Sequence, residues 1–238
     1  MRPCLLLVPE FTEIEWTIRP LLERWATVHS FDPPGVGDEP PGRQLSRDEV
    51  ITRGVAALDA IEANRVFLVA DGWAIASAAH IAVDRRAVVA GMALGHARLS
   101  HRRDGERAPL NGEIFAAMSQ LIESDAAAFV RYGIAQVTRG SVDEEQAERM
   151  LQRLPTEHMA ESWRALTADE PFGHLLAQLD CPMLLAKHEG CLMSTDEGFE
   201  DAAARLPEAS TVVVPDGPTA SPAFAQALRD FCLQTLSA

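Results

Sequence analysis

The feature that most constrains this chain is an alternation. Short, wholly apolar runs of strand length are separated by stretches whose apolar residues recur at helical spacing. The runs are Pro3-Cys4-Leu5-Leu6-Leu7-Val8, Arg65-Val66-Phe67-Leu68-Val69-Ala70, residues 87–94, Cys181-Pro182-Met183-Leu184-Leu185-Ala186 and Ser210-Thr211-Val212-Val213-Val214, with a strand-like sixth at 26–31. Strands apolar on both faces belong to a parallel sheet covered on both sides. Parallel neighbours need a long crossover, most often a helix. Trp16, Ile18, Leu21, Leu22 and Trp25 predict such a helix over 15–25. Ser46 with Glu49 three residues on is a capping-box pattern, opening a helix over 46–62. Further helices are predicted over about 74–82, 196–205 and 221–236. From about 98 to 175 the alternation stops, and the helical segments 110–136, 143–153 and 157–168 follow one another with no strand between.

The expected fold class is therefore α/β: a doubly wound, mostly parallel sheet built from residues 1–97 and 176–238. A helical cap, residues 98–175, is inserted after a central strand. With 238 residues, 47% of them apolar and 24% charged, the chain can bury a sizeable core, and neither disorder nor a fibrous repeat is expected.

The net charge of -14 opposes binding to nucleic acid and to anionic membranes. No apolar run approaches the ~18 residues of a membrane span. The short run after Met1 lacks a signal peptide's longer apolar core and cleavage site, so a cytoplasmic location is expected. The one basic cluster, Arg98, His101, Arg102, Arg103 and Arg107, reads as a solvated loop. Cys4, Cys181, Cys191 and Cys232 show no paired spacing, so no disulfide framework or zinc motif is expected. There is no Gly-rich phosphate loop and the histidines are isolated in sequence, so no metal or organic cofactor is expected. A small molecule is the expected partner; the oligomeric state is left open.

In a parallel sheet the chemistry sits in the loops after the strands' carboxyl ends. Leu5-Leu6-Leu7-Val8-Pro9 followed by Trp16, Asp32-Pro33-Pro34-Gly35-Val36-Gly37, and Val66-Phe67-Leu68-Val69-Ala70-Asp71-Gly72-Trp73-Ala74 occur in that order. After the helical stretch come Cys181-Pro182-Met183-Leu184-Leu185 and Val212-Val213-Val214-Pro215. Together they resemble the landmarks of the α/β-hydrolase fold family along the whole chain. The resemblance implies a nucleophile elbow after the 65–70 strand, an acid after 182–186 and a general base after Pro215.

The residues at those three places are not the ones the family uses. In the elbow, Ala70 and Ala74 are the small flanking residues, so the middle is Gly72, which carries no side chain to attack with. Trp73 follows it. The acid loop reads Lys187-His188-Glu189-Gly190-Cys191-Leu192, and Thr219 stands nearest the place of the base. Asp71 as nucleophile would force Trp73 into a position that needs a small residue. Ser77 lies past the turn. His96, at the end of the 87–94 strand, and Asp71 are candidate acids or bases; His188 and Cys191 are candidate pocket residues. The resemblance also implies two backbone donors of an oxyanion hole, from Trp73 and from Glu10 or Phe11. Glu10 and Asp71 bring negative charge to that mouth, which disfavours a carboxylate ligand and favours a neutral or cationic one, unless one carboxyl is protonated.

The function expected is binding of a small, largely apolar molecule between core and cap, without conventional ester hydrolysis. The cap residues Met118, Leu121, Phe129, Tyr132, Met150, Met159 and Trp163 are the candidate lining. One alternative is an enzyme of non-serine chemistry (lyase, isomerase, decarboxylase, cyclase or atypical hydrolase) using His96, Asp71 or Glu10. Another is a protein-interaction module.

Overall fold

A computed structural model of the chain describes residues 2–10, 16–33, 35–37, 46–104, 108–137, 143–154 and 159–237. Among them six strands form one sheet: β1 (Cys4–Val8), β2 (Thr27–Ser30), β3 (Val66–Asp71), β4 (Val89–Gly95), β5 (Met183–His188) and β6 (Ser210–Val214). Their spatial order is β2-β1-β3-β4-β5-β6, and every pairing is parallel. The expected doubly wound sheet is what the chain forms. Its centre is β3 and β4, whose side chains are almost all buried.

Alternate residues of each strand serve opposite faces. Leu6, Val8, Leu68, Ala70, Met92 and Leu94 point to one side. There they meet α2 (Arg47–Asp59), α3 (Ala74–Asp84) and α9 (Asp196–Arg205) through Leu58, Ile75, Ile81 and Ala202. Leu5, Leu7, Phe67, Val69 and Ala93 point to the other. They pack on Leu22 of α1 (Arg19–Leu22) and on Phe224, Leu228 and Phe231 of α10 (Pro222–Ser237). Ser46 caps α2 by accepting the Glu49 N–H, as its capping-box pattern predicts.

Between β4 and β5 the chain forms α4 (Gly112–Ser124), α5 (Ala126–Val137), α6 (Glu144–Arg153), α7 (Met159–Leu166) and α8 (Gly173–Leu176). Of these, α4–α7 share a third apolar cluster with Val36, Val50 and Trp73, whereas α8 packs on the sheet through Leu175 and Leu176. The predicted helix over 110–136 is two helices. Asp125 leaves helical geometry at φ -155°, and its carboxylate accepts the Ala128 N–H, capping the next helix instead of continuing the last. The predicted helix over 15–25 shrinks to α1. After Leu22 the chain closes in tight turns and delivers Thr27 to the Pro3 carbonyl, which starts the β1–β2 ladder.

The basic cluster is not a solvated loop. Arg98 is 2% exposed and His101 wholly buried, while Arg102 is exposed; Arg107 lies outside the described residues. Arg98 is held by stacking over the Trp73 ring at 4.6 Å, and His101 sits edge-on to Trp73 and Phe172. Their apolar and aromatic contacts, invisible to a count of charges, take these two residues inward.

Candidate functional site

Three adjacent strands end side by side. Asp71 closes β3, His96 follows β4 by one residue, and His188 closes β5. The ladder pairs Asp71 with Gly95 and Gly95 with Ala186. The Gly72 N–H reaches the Gly95 carbonyl and the Ala97 N–H the Ala186 carbonyl, so the three ends are tied by backbone bonds. At this rim the side chains form a chain of their own. Asp71 Oδ1 lies 2.8 Å from His96 Nδ1, and His96 Nε2 lies 2.6 Å from His188 Nδ1. All three residues are buried. A Cβ on Gly95 would strike both the Asp71 carboxylate and Pro218, so the glycine clears the path between Asp71 and His96. His96 itself stands at φ 48°. That is the left-handed region, costly for a side chain with a Cβ, and such strain concentrates at functional sites.

Cys191 completes the group. Its sulfur lies within 4.8 Å of the ring nitrogens of His96 and His188, and it accepts the Ser194 N–H at 3.3 Å. Burial alone would raise the Cys191 thiol; the His96 ring and the backbone N–H groups of Ser194 and Met193 outweigh it and bring it down to about 7. Burial likewise works against a charged His96, but Asp71 and Cys191 outweigh it and raise that ring well above the usual histidine range. Burial lowers Arg98 to about 10, opposed by Glu10, Asp71 and Cys191.

The turn after β3 has the geometry of an elbow. Gly72 takes φ 51°, a conformation glycine adopts freely, and α3 starts two residues later. No side chain projects from it. The space above is taken by Glu10: a Cβ on Gly72 would land on the Glu10 carboxylate. The same carboxylate accepts the Trp73 backbone N–H in a short hydrogen bond. This corrects one expectation. The Trp73 donor is not open to a ligand's carbonyl, because the chain's own carboxylate already satisfies it. Phe11, the other residue named for that donor pair, lies outside the described residues.

Above this floor lies an apolar cavity of about 120 Å³. Met118, Phe129, Met150, Met159 and Trp163 form its helical wall; Glu10, Asp71, Trp73 and Thr219 close it below. Leu121 and Tyr132, also expected as lining, pack instead at the edge of the helical cluster. A second cavity of about 110 Å³ shares Glu10, Asp71, Trp73, Met118 and Gly133 with the first and reaches His96, Arg98, His188 and Cys191. Thr219 sits at the expected loop; its carbonyl accepts the Ile18 N–H and the Thr17 hydroxyl.

The expected residues Glu10, Asp71, Gly72, Trp73, His96, His188, Cys191 and Thr219 thus gather around one connected space. Two things were not foreseen. Arg98 is part of the site, with its Nε and Nη2 making no hydrogen bond among the described residues. And His96, His188 and Cys191 form one group. The neighbouring positions of β4 and β5 in a parallel sheet were the signal for the second; nothing in the composition signalled the first.

No protein-family model matches the chain, and no curated protein does. Solved structures do. A hydrolase from Oleispira antarctica is similar at a TM-score of 0.80 and 14% identity, over 98% of this chain and 91% of that one. A bromoperoxidase from Bacillus anthracis gives 0.77 and 14%, over 100% and 92%. A thermophilic esterase from Thermogutta terrifontis gives 0.73 and 20%, over 99% and 90%. With the sheet order and the elbow turn already in view, the architecture is that of the α/β-hydrolases: this chain has the α/β-hydrolase fold from end to end. At these identities the likeness extends to the fold alone. No helix among the described residues is long and apolar enough to cross a membrane.

The four cysteines are free and should differ sharply in reactivity. The thiolate is the reactive form. Cys191 at about 7 is roughly half ionised at neutral pH, whereas burial raises Cys181 to about 11 and Cys232 to about 12. After EDTA treatment, iodoacetamide should label Cys191 ahead of Cys181, at a rate rising with pH through about 7, and Cys232 only on unfolding. Peptide mapping by mass spectrometry reads the order; Cys181 or Cys232 labelled ahead of Cys191 contradicts it.

Proposed function

We propose that this chain binds a small, largely apolar molecule in the cavity above Gly72, between the sheet and a cap formed by α4–α7, and does not hydrolyse esters through a serine. One observation carries the reading: the Glu10 carboxylate fills the space above a glycine elbow and ties up the Trp73 N–H. Serine hydrolysis needs both an attacking side chain and a free donor at that spot. The size of the cavity supports a small ligand. It is on the scale of the ~150 Å³ apolar cavity that accepts benzene, which limits the ligand to roughly six or seven non-hydrogen atoms. Arg98, buried with two nitrogens unbonded, offers a donor to one carbonyl or hydroxyl group on an otherwise apolar molecule.

Gly133 provides the test. It lies in α5, lines both cavities, and a Cβ there would meet nothing within 4 Å. Gly133→Ala should stabilise the protein by about 0.5–1 kcal/mol, since glycine costs that much inside a helix. Gly133→Leu should keep the fold but fill the cavity. Compounds from a library of small neutral molecules that raise the melting temperature of the natural chain should then lose their effect on Gly133→Leu. p-Nitrophenyl butyrate should be hydrolysed at the background rate. Hits that bind both proteins equally, or clear esterase turnover, would sink the reading.

The buried Asp71–His96–His188 chain favours a second reading, in which the same pocket carries out non-serine chemistry on its ligand. It predicts that a bound compound is itself altered on prolonged incubation, as seen by mass spectrometry, and that His96→Ala stops the change. Simple binding returns the compound intact.

A further inference from the structure

We propose that His96, His188 and Cys191 form a binding site for a borderline-soft divalent transition-metal ion, of which Zn²⁺ is the type. The group came together from residues that the sequence keeps far apart: His96 and His188 are separated by 92 positions and meet only because β4 and β5 are neighbours.

The geometry suits such an ion. Each residue offers one donor atom, and these atoms lie within 4.8 Å of one another. A tetrahedral ion with nitrogen at roughly 2.0–2.1 Å and sulfur at roughly 2.3 Å sets its donors about 3.3–3.6 Å apart. His96 Nε2 and His188 Nδ1, now 2.6 Å apart, would therefore separate by roughly 0.7 Å. The hydrogen between them is displaced to solvent, so that His96 Nε2 and His188 Nδ1 both become donors to the metal while His188 Nε2 carries that ring's proton. Two imidazoles and a thiolate are the ligand types that zinc and its neighbours take.

The surroundings suit it as well. Asp71 accepts a hydrogen bond from His96 Nδ1, which keeps that nitrogen protonated and orients Nε2 toward the ion, which displaces its proton. A carboxylate behind a ligating histidine is the usual supporting contact at such centres. The left-handed backbone at His96 holds the ring at the rim. Glu10, Asp71 and Cys191 bring negative charge to the site beside the buried Arg98, so the local field accommodates a divalent ion. Three protein ligands leave one position of a tetrahedron vacant, and the cavity shared by His96, His188 and Cys191 provides access to it. Three ligands with an open fourth position is how zinc is held where it acts on another molecule, rather than where it only braces a fold.

The test is direct. The full-length protein is treated with EDTA, dialysed and titrated with Co²⁺. One equivalent should bind, giving the visible bands of tetrahedral cobalt and a thiolate-to-cobalt charge-transfer band in the near ultraviolet. Zn²⁺ should bleach both and raise the melting temperature. Cys191→Ser should abolish the charge-transfer band. Asp71→Asn should weaken binding by 10–100-fold while leaving the band's position intact, the loss expected when only the supporting carboxylate goes. A folded natural protein that gives no cobalt spectrum would overturn the proposal. So would a charge-transfer band that survives in Cys191→Ser, since it would place the ion on Cys4, Cys181 or Cys232. Neither readout depends on an organic ligand, so failure here leaves the pocket reading standing.

Discussion

Gly72→Ser should lower the melting temperature by roughly 10 °C and create no esterase. Two costs combine. The position sits at φ 51°, where a residue with a Cβ loses about 1–2 kcal/mol relative to glycine. The new Cβ also evicts the Glu10 carboxylate and breaks its bond to the Trp73 N–H. A hydrogen bond to a charged group is worth about 1.5–3 kcal/mol. The sum, about 2.5–5 kcal/mol, corresponds to a shift of that order at roughly 2–4 °C per kcal/mol for a chain of this size. The partner variant makes the argument testable. In a Glu10→Ala background the same serine should cost only the backbone part, so the two changes should couple by about 1.5–3 kcal/mol, the size expected for groups in direct contact. Equal costs in the two backgrounds would show that Glu10 does not occupy the space above the elbow. Even the double variant should leave p-nitrophenyl butyrate untouched, because Thr219 stands where the base would be needed.

Trp163→Ala should be as damaging, by another route. Trp163 is 1% exposed at the middle of the helical cluster. Its ring stacks on Phe115 and meets Trp73 and Phe129 edge-on, with centroids 5.1–5.3 Å away. Its Nε1–H donates to the Ser119 hydroxyl at 2.9 Å. Truncation removes a large apolar group and leaves a void that the three aromatic neighbours cannot close, a change that costs about 3–5 kcal/mol. Trp163→Phe keeps most ring contacts and loses the Ser119 bond, so about 1–2 kcal/mol is expected. Chemical denaturation of the three proteins gives the ordering. Since Trp163 also walls the cavity, Trp163→Ala should lose the ligand-induced thermal shift that Trp163→Phe retains. If Trp163→Ala melts within 2 °C of the natural chain, the helical cluster is not organised around this ring.

The sheet was readable from the chain because its signal is local. Apolar runs of strand length at 65–70 and 210–214 require no knowledge of partners, and α9 and β6 fall at the expected residues. The glycine elbow was legible for the same reason, since Ala70-Asp71-Gly72-Trp73-Ala74 holds its whole pattern in five residues. Reading failed where the deciding contact is distant. Arg98 counts as a surface charge until Trp73 is found beneath it. Cys191 reads as a small loop residue until β4 and β5 bring His96 to it. The break at Asp125 lay within reach: an aspartate ahead of an Ala-rich stretch is a capping residue, and helical spacing on both sides masked it.

The floor and the walls of the pocket come from different parts of the chain. Asp71, His96 and His188 are fixed by strand ends, whereas most of the apolar wall is drawn from the helices between β4 and β5. Lengthening a connection is inexpensive: doubling a loop adds only about 0.6 kcal/mol of closure entropy. The loops that join these helices can therefore change in length without disturbing how the strand ends meet. Such a division lets the shape of the wall drift while the same buried polar group is kept beneath it.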